Sequence, residues 1–542
     1  MGLRDRLLKA AAVISALTIL SKILGFAREA SLAAVFGATH VTDAYLVGQT
    51  VPGLALTAVG TSVGTSFIPV YAKALKERGR EGAFALASST INATLLLAAV
   101  LISLGELAAG PLTRLVAPGF QGELLSLTIR LTRIMFPMVL WQVLSGVFTA
   151  MLQTEGSFLI PATVGVWLNL VVIGSVVFLG PRFGIEAVAV GTLVAATVQA
   201  AVQVPALRKL GYSWRPSLDV RDPSLRRIAQ LSLPVLVGSS VLQFGLVVDR
   251  MLASHLAEGS IAALNYAVKL MMLVPAVLGT AITTVMYPTL ARLSAEGDWR
   301  RYSSVFTQTV KVIFFVMTPV AVGMMVLRTP LVRLAFERGA FDHRATAETA
   351  WALLFFSIAV AVITLRDLAA QAFYSVQETI APILVGILAV VVNVIVNLCL
   401  VGPLRQGGLA LGTSLAVVFS SWTLLWLLGG RLRHVSREEC PGIDLRSIAN
   451  SVWRVVVAAA GMATVVQFVF SRVSALVPGG GVVSQAVRLG AAVASGILSY
   501  AVSVVILRVP EVGLVIDVLR SGAAKLRRSL EASPDRPQPG SQ

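Results

Sequence analysis

The chain has 542 residues, of which 56% are hydrophobic and only 13% charged, and it carries a formal net charge of +17. A water-soluble chain of this length would hold nearer a quarter charged residues, so the solvent for most of this one is lipid. A closed transmembrane barrel is excluded as well: its strands are about ten residues long and alternate in character, whereas the apolar runs here are mostly 18 to 28 residues long.

Runs of that length suit helices that cross about 30 Å of hydrocarbon. In chain order, fourteen are predicted: 10–27, 44–72, 84–110, 126–153, 157–181, 184–206, 226–254, 261–291, 304–328, 346–373, 380–401, 408–430, 450–471 and 486–508. The first follows a basic start of Arg4, Arg6 and Lys9, as a secretory signal would. It continues into Ser21-Lys22 without a small-residue cleavage pattern and reads as a retained helix. The fold class is therefore an all-α integral membrane protein.

With the N-terminus inside, alternate connections and the tail hold about 26 Lys and Arg, the other connections about 11. That asymmetry places both termini in the cytoplasm. The richest inside segments are Lys73 to Arg80, Arg208 to Arg227, Arg431 to Arg446 and Arg520 to Arg528. Beside membrane helices such clusters mark topology and meet anionic headgroups, so membrane lipids, and not nucleic acid, are the expected partners. Cys399, in a predicted helix, and Cys440, in a loop, offer neither a pair nor a metal site. His343 and Glu348 lack a nucleophile or a metal cluster beside them, and no catalytic residue is assigned.

The chain repeats itself. Gly60-Thr61-Ser62-Val63-Gly64-Thr65-Ser66-Phe67-Ile68-Pro69 returns as Gly279-Thr280-Ala281-Ile282-Thr283-Thr284-Val285-Met286-Tyr287-Pro288, an offset of 219. Pro161 with Gly191-Thr192 returns as Pro382 with Gly412-Thr413, an offset of 221. Two matches at nearly one offset predict a duplicated unit of six helices, residues 1–221 and 222–442, followed by helices thirteen and fourteen in 443–510 and a basic cytoplasmic tail, 511–542, with a disordered end. Six is even, so the copies share an orientation, as alternating-access transporters with parallel repeats do. Gly60 and Gly64 suit close helix packing.

Several charges fall inside the apolar runs: Lys22, Arg28 and Glu29 in or at the end of helix 1, Asp43 at the start of helix 2, Asp249-Arg250 at the end of helix 7, and Lys269 within helix 8. A centrally placed charge costs roughly 2.5 to 3.5 kcal/mol on insertion scales, so each must pair or line water. Lys22 and Glu29 share a helical face, while Arg28 points about 120° from Lys22 unless Gly25 bends the helix. Arg28, Glu29 and Asp43 can alternatively snorkel at the outer interface. That alternative does not reach Lys22 and Lys269, which are flanked by leucines. Lys and Arg from both repeats predict a cavity that attracts an anion through charge-assisted hydrogen bonds.

These residues resemble the MurJ (MviN) family of lipid II flippases, in the MOP superfamily that also contains the MATE drug exporters. The strings that carry the likeness are Ser21-Lys22-Ile23-Leu24-Gly25-Phe26-Ala27-Arg28-Glu29, Phe36-Gly37-Ala38, Thr42-Asp43-Ala44, Phe67-Ile68-Pro69-Val70, Arg133-Ile134-Met135-Phe136-Pro137, Leu264-Asn265-Tyr266-Ala267, Glu337-Arg338-Gly339-Ala340-Phe341-Asp342 and Leu365-Arg366-Asp367-Leu368. The resemblance implies a substrate site in which Lys22, Arg28 and Lys269 match basic positions and Glu29 and Asp43 acidic ones. One position departs from the family: Leu56 stands four residues beyond Pro52, where an arginine is common. Some members carry a sodium site, and the matching positions here are Asp249, Asn393, Asn397 and Thr413; polar residues bridging helices is the competing account.

The expected function is thus that of a lipid II flippase in the bacterial plasma membrane, moving undecaprenyl-pyrophosphate muropeptide from the inner to the outer leaflet by alternating access, as a monomer and without enzymatic chemistry. Helices thirteen and fourteen are expected to form a groove for the polyprenyl tail. A flippase for another polyprenyl-pyrophosphate glycan needs the same basic cavity; a membrane glycosyltransferase would need a catalytic carboxylate in a sizeable outside loop, and the outside loops are short.

Overall fold

The structure, a computed structural model, describes residues 3–435 and 442–513, so Cys440 and all but the start of the predicted tail lie outside the described residues. In chain order the elements are α1 (Leu3–Phe36), α2 (His40–Leu107), α3 (Ala109–Val116), α4 (Gly122–Met135), α5 (Met138–Thr154), α6 (Leu159–Gly174), α7 (Gly180–Ala201), α8 (Val204–Lys209) and α9 (Pro223–Ala253). They continue with α10 (Ser260–Val274), α11 (Thr280–Glu296), α12 (Trp299–Val326), α13 (Arg328–Phe336), α14 (His343–Ser375), α15 (Ile380–Leu404), α16 (Gln406–Val435), α17 (Leu445–Leu476) and α18 (Val482–Ile506). Ten stretches among the described residues are long and apolar enough to cross a membrane. The chain is an all-helical, multi-pass membrane protein.

Backbone chemistry explains where the predicted helices are joined or broken. The predicted 44–72 and 84–110 are the two arms of α2, which is broken by a kink at Gly79 (φ 67°, ψ −173°), where the backbone is non-helical. That conformation is open essentially to glycine alone. The predicted 126–153 divides at Phe136-Pro137 into α4 and α5, because proline cannot donate to the preceding turn. The predicted 261–291 passes through one π-helical turn, Pro275–Gly279, for the same reason. Two short helices, α3 and α13, had no apolar run to announce them, yet Pro111-Leu112-Thr113-Arg114-Leu115 and Pro330-Leu331-Val332-Arg333-Leu334 repeat at an offset of 219.

The chain divides into two compact units. The first comprises Met1–Met272, Arg328–Phe356 and Pro382–Ser420. Where α2 meets α5, Phe67, Tyr71, Leu86, Val147 and Met151 are almost wholly buried. In lipid such contacts stabilise by van der Waals fit and by interhelical hydrogen bonds, and Gln203, fully buried, donates to the Ser145 hydroxyl at 2.7 Å. Of the glycines expected to pack closely, a Cβ on Gly60 would meet Val143 at 3.6 Å, but one on Gly64 would meet nothing within 4 Å. Leu56 sits half-buried beside Gly60.

The second unit comprises Leu273–Leu327, Ser357–Ala381 and Ser421–Gln542. Here α12 is held to α17 and α18 by polar contacts: Lys311 donates to Ser447, and the Tyr500 hydroxyl donates to the Phe315 carbonyl at 2.8 Å. The Tyr302 hydroxyl donates to the Ala372 carbonyl at 2.9 Å. A Cβ on Gly496 would lie 2.9 Å from Val466, so α17 and α18 approach closely where the side chain is missing.

Candidate functional site

The charged residues singled out in the apolar helices meet in the first unit, in three groups. The first is centred on Glu29 of α1, which is 5% exposed. Arg28 pairs with its Oε1 at 2.7 Å and Lys269 of α10 with the same oxygen at 3.6 Å, while Asn265 donates to Oε2 at 3.1 Å. Two cations share one carboxylate, which leaves the group a net positive charge. The side chains of Arg28 and Lys269 remain 25% and 41% exposed. Lys22 is exposed on the same face of α1 as Glu29, two turns earlier, about 10 Å along the axis. Gly25 lies against Asn169 of α6, whose amide donates to the Ser21 carbonyl at 3.1 Å.

The second group is a clasp between turns. Asp43, 4% exposed, accepts from the backbone N–H of Gly259 at 2.8 Å and of Ala262 at 2.7 Å. The first turn of a helix carries unpaired donors and a positive dipole end, so Asp43, at the start of α2, caps α10 from another part of the chain. Around it the turns touch backbone to backbone. A Cβ on Gly259 (φ 83°) would come within 2.1 Å of the Ala38 carbonyl, and one on Gly339 (φ 59°) within 2.2 Å of the Ala34 carbonyl. Outside the apolar stretches, Glu258 accepts from the His40 ring at 2.6 Å and from the His40 amide at 3.1 Å; these bonds hold its carboxyl below the ordinary range. Burial pushes Glu337 the other way, but bonds from Thr346, Arg333 and His343 outweigh it and keep that carboxyl low.

The third group joins α9, α15 and α16. Asn397 donates to Asp249 at 2.6 Å, and Asn393, with its amide oriented to satisfy its neighbours, donates to Asp249 at 3.2 Å and accepts from the Thr413 backbone N–H at 3.1 Å. The four residues at the positions that the family resemblance singled out are thus brought together. The buried Asn397 Oδ1 has no hydrogen-bond partner. Turning that amide over would aim its oxygen at Asp249, and oxygens from one carboxylate, two amides and one hydroxyl suit a hard monovalent cation. Gly412 makes room, since a Cβ there would lie 1.9 Å from that oxygen. A cavity of about 180 Å³ beside the group is lined by Asp249, Arg250, Asn265 and Thr413.

The residues that sequence reasoning did not assign to a site are Asn265, Arg250 and the pair His40–Glu258. Arg250 donates to the Ile261 carbonyl at 3.5 Å, while its buried Nε has no partner. A signal for it existed: at an offset of 221, Arg28-Glu29 falls on Asp249-Arg250. His343 and Glu348 do not meet; they pair with Glu337 and Arg344 respectively.

The profile of the family described as lipid II flippase MurJ matches residues 32–485, a span that begins after Lys22, Arg28 and Glu29. The lipid II flippase MurJ of Burkholderia cenocepacia is 31% identical over 448 residues, 80% of this chain and 86% of that protein. A probable lipid II flippase MurJ of Rhizobium tropici is 29% identical over 421 residues, 76% of this chain and 78% of that protein. Among solved structures, a lipid II flippase MurJ in an inward closed conformation shares the fold with a TM-score of 0.76 at 21% identity, over 92% of this chain and 99% of that one. An inward-facing MATE multidrug transporter of the MOP superfamily follows at 0.67 and 17% identity, over 79% of this chain and all of that one. The apolar helices, the shared fold and the match over most of the chain agree: this protein belongs to the lipid II flippase MurJ family.

Proposed function

We propose that this chain is a lipid II flippase of the bacterial plasma membrane, with both termini in the cytoplasm, acting as a monomer and making or breaking no covalent bond. The observation that carries the reading is the Glu29 group: two partly exposed cations, Arg28 and Lys269, held on one buried carboxylate between apolar helices. A pyrophosphate entering this group competes with Glu29 for both cations through charge-assisted hydrogen bonds, and Lys22 adds a third positive charge along the same face. Asp43 belongs to the site through its hold on the start of α10, the helix that carries Lys269. Alternating access then requires the clasp around Asp43 to open after the headgroup has been bound, with residues 1–221 and 222–442 as the moving lobes and α17 and α18 carrying the polyprenyl tail.

Asp249, Asn393, Asn397 and Thr413 supply oxygens of the right kind for a sodium ion. In that reading, the cation contributes a positive charge beside Asp249 when bound, and the chain's own part is to present those oxygens and to keep Arg250 from neutralising the carboxylate. The decisive experiment is replacement of the resident lipid II flippase in a depletion strain. Growth, with labelled lipid II appearing in the outer leaflet, supports the proposal. Lysis on depletion, with the protein present at normal abundance in the membrane, overturns it in favour of another polyprenyl-linked glycan.

A further inference from the structure

A cavity lies away from these three groups, between α2 and α9. The irregular segment 211–222 runs back along the second arm of α2: Asn92 donates to the Arg215 and Ser217 carbonyls at 2.8 and 2.7 Å, and Trp214 donates to the Asn92 oxygen at 3.1 Å. Val220 of this strap, α2 and α9 line an open-sided cavity of about 650 Å³, whose wall on α9, among the described residues, runs from Leu225 to Leu236. That stretch rises about 16 Å, one leaflet of hydrocarbon. Two of its four lining hydroxyls are spent on backbone, Thr90 on Leu86 at 2.8 Å and Ser232 on Ser62 at 3.2 Å, and most of the remaining wall is Ala, Val, Leu and Ile, which suits hydrocarbon.

Its mouth is different. Arg226 lines the cavity and is exposed, as is its neighbour Arg227. Val220, 71% exposed, also lines it, and Trp214, 53% exposed, is held in the same strap by Asn92, next to the lining residue Ala93, an exposed aromatic of the kind found at a headgroup boundary. A second cavity of about 450 Å³, further along the α2–α9 face and including Leu104, Phe136 and Phe244, has no charged residue in its lining.

We infer that the cavity beside Arg226 holds one acyl chain of an anionic phospholipid from the cytoplasmic leaflet, with the headgroup phosphate on the Arg226 guanidinium. The inference takes its orientation from the charge asymmetry adopted above and does not depend on what the protein transports.

The test uses the full chain purified in detergent and offered phosphatidylglycerol or phosphatidylcholine with identical acyl chains, read as lipid retained in native mass spectrometry. One guanidinium at a headgroup predicts a roughly fivefold preference for phosphatidylglycerol. Arg226→Gln, at an exposed position that does not endanger folding, should bring the two lipids to parity without loss of phosphatidylcholine, and Ala93→Phe should reduce retention of both. Equal retention by the wild type, or a preference that survives Arg226→Gln, overturns the site. Displacement of the phospholipid by glycerol phosphate at equal concentration reduces it to a surface phosphate contact, and displacement by equimolar lipid II assigns the cavity to the substrate. Failure of the depletion strain to grow would leave all of these outcomes unchanged, so the two ideas fail separately.

Discussion

The Glu29 and Asp249 groups stand at corresponding places in the sequence repeat, 221 residues apart, yet they solve the problem of a charge in lipid in opposite ways. At Arg28-Glu29 the carboxylate is the buried member and the cations remain partly exposed around it. At Asp249-Arg250 the carboxylate is met by an amide at 2.6 Å, and the arginine turns to a backbone carbonyl. The first arrangement leaves positive charge for an anion to collect. The second leaves a carboxylate whose partners are neutral dipoles, which a small cation can replace. In the proposed function, the reversed order of one acid and one base along a helix end sets which kind of ligand each group would accept.

The largest expected effect breaks the comparison at its cationic side. Arg28→Ala should abolish complementation while membrane abundance stays near that of the wild type, since the guanidinium serves the substrate; a fall in abundance in step with activity would make the pair structural. Next comes the clasp between the two groups. Asp43→Ala strips two N–H groups at the start of α10 of their acceptor and should cost roughly 2–4 kcal/mol, read as a lower thermal midpoint in detergent. An unchanged midpoint would show that water replaces the carboxylate.

The carboxylate side is sharpened by ions. Sodium at a hundred times its dissociation constant should stabilise the purified protein by about 2.7 kcal/mol, potassium should not match it, and Asp249→Asn should remove the effect. Equal stabilisation by both ions would leave Arg250 as the sufficient partner. The smallest effect concerns the turn at Glu258. Its carboxyl titrates below the ordinary value, so the His40–Glu258 contact contributes fully above about pH 4.3 and is lost as the pH falls through the lower value in the folded protein. The pair is more than half exposed on both sides, which limits it to less than about 1 kcal/mol. Comparison of thermal midpoints for the wild type and Glu258→Gln, above and below that range, reads it directly.

Much of this was legible from residue order. Hydropathy alone marks the membrane helices, because lipid demands long apolar runs with internally satisfied backbones, and α12, α14 and α15 lie within a few residues of their predicted spans. Hydropathy is silent on backbone hydrogen bonding, however, which is why the break at Pro137 and the π-turn after Pro275 were absorbed into single predicted helices. The short amphipathic α3 and α13 escaped for the opposite reason, being only 8 and 9 residues long and without an apolar run to announce them.

Residue order by itself determined that this is a helical membrane protein, that short strings recur at offsets of 219 and 221, and that Lys22, Arg28, Glu29, Asp43, Asp249 and Lys269 must each find a partner or water, since the cost of an isolated charge in hydrocarbon depends on nothing else. Tertiary structure alone decided which partner each one found. Asp43 faces backbone amides 216 and 219 residues away, Glu29 faces Asn265 across 236 residues, and Asp249 faces Asn397 across 148. A hydrogen bond is satisfied within about 3 Å, and no local pattern in a sequence specifies which distant turn of helix will be carried to that distance.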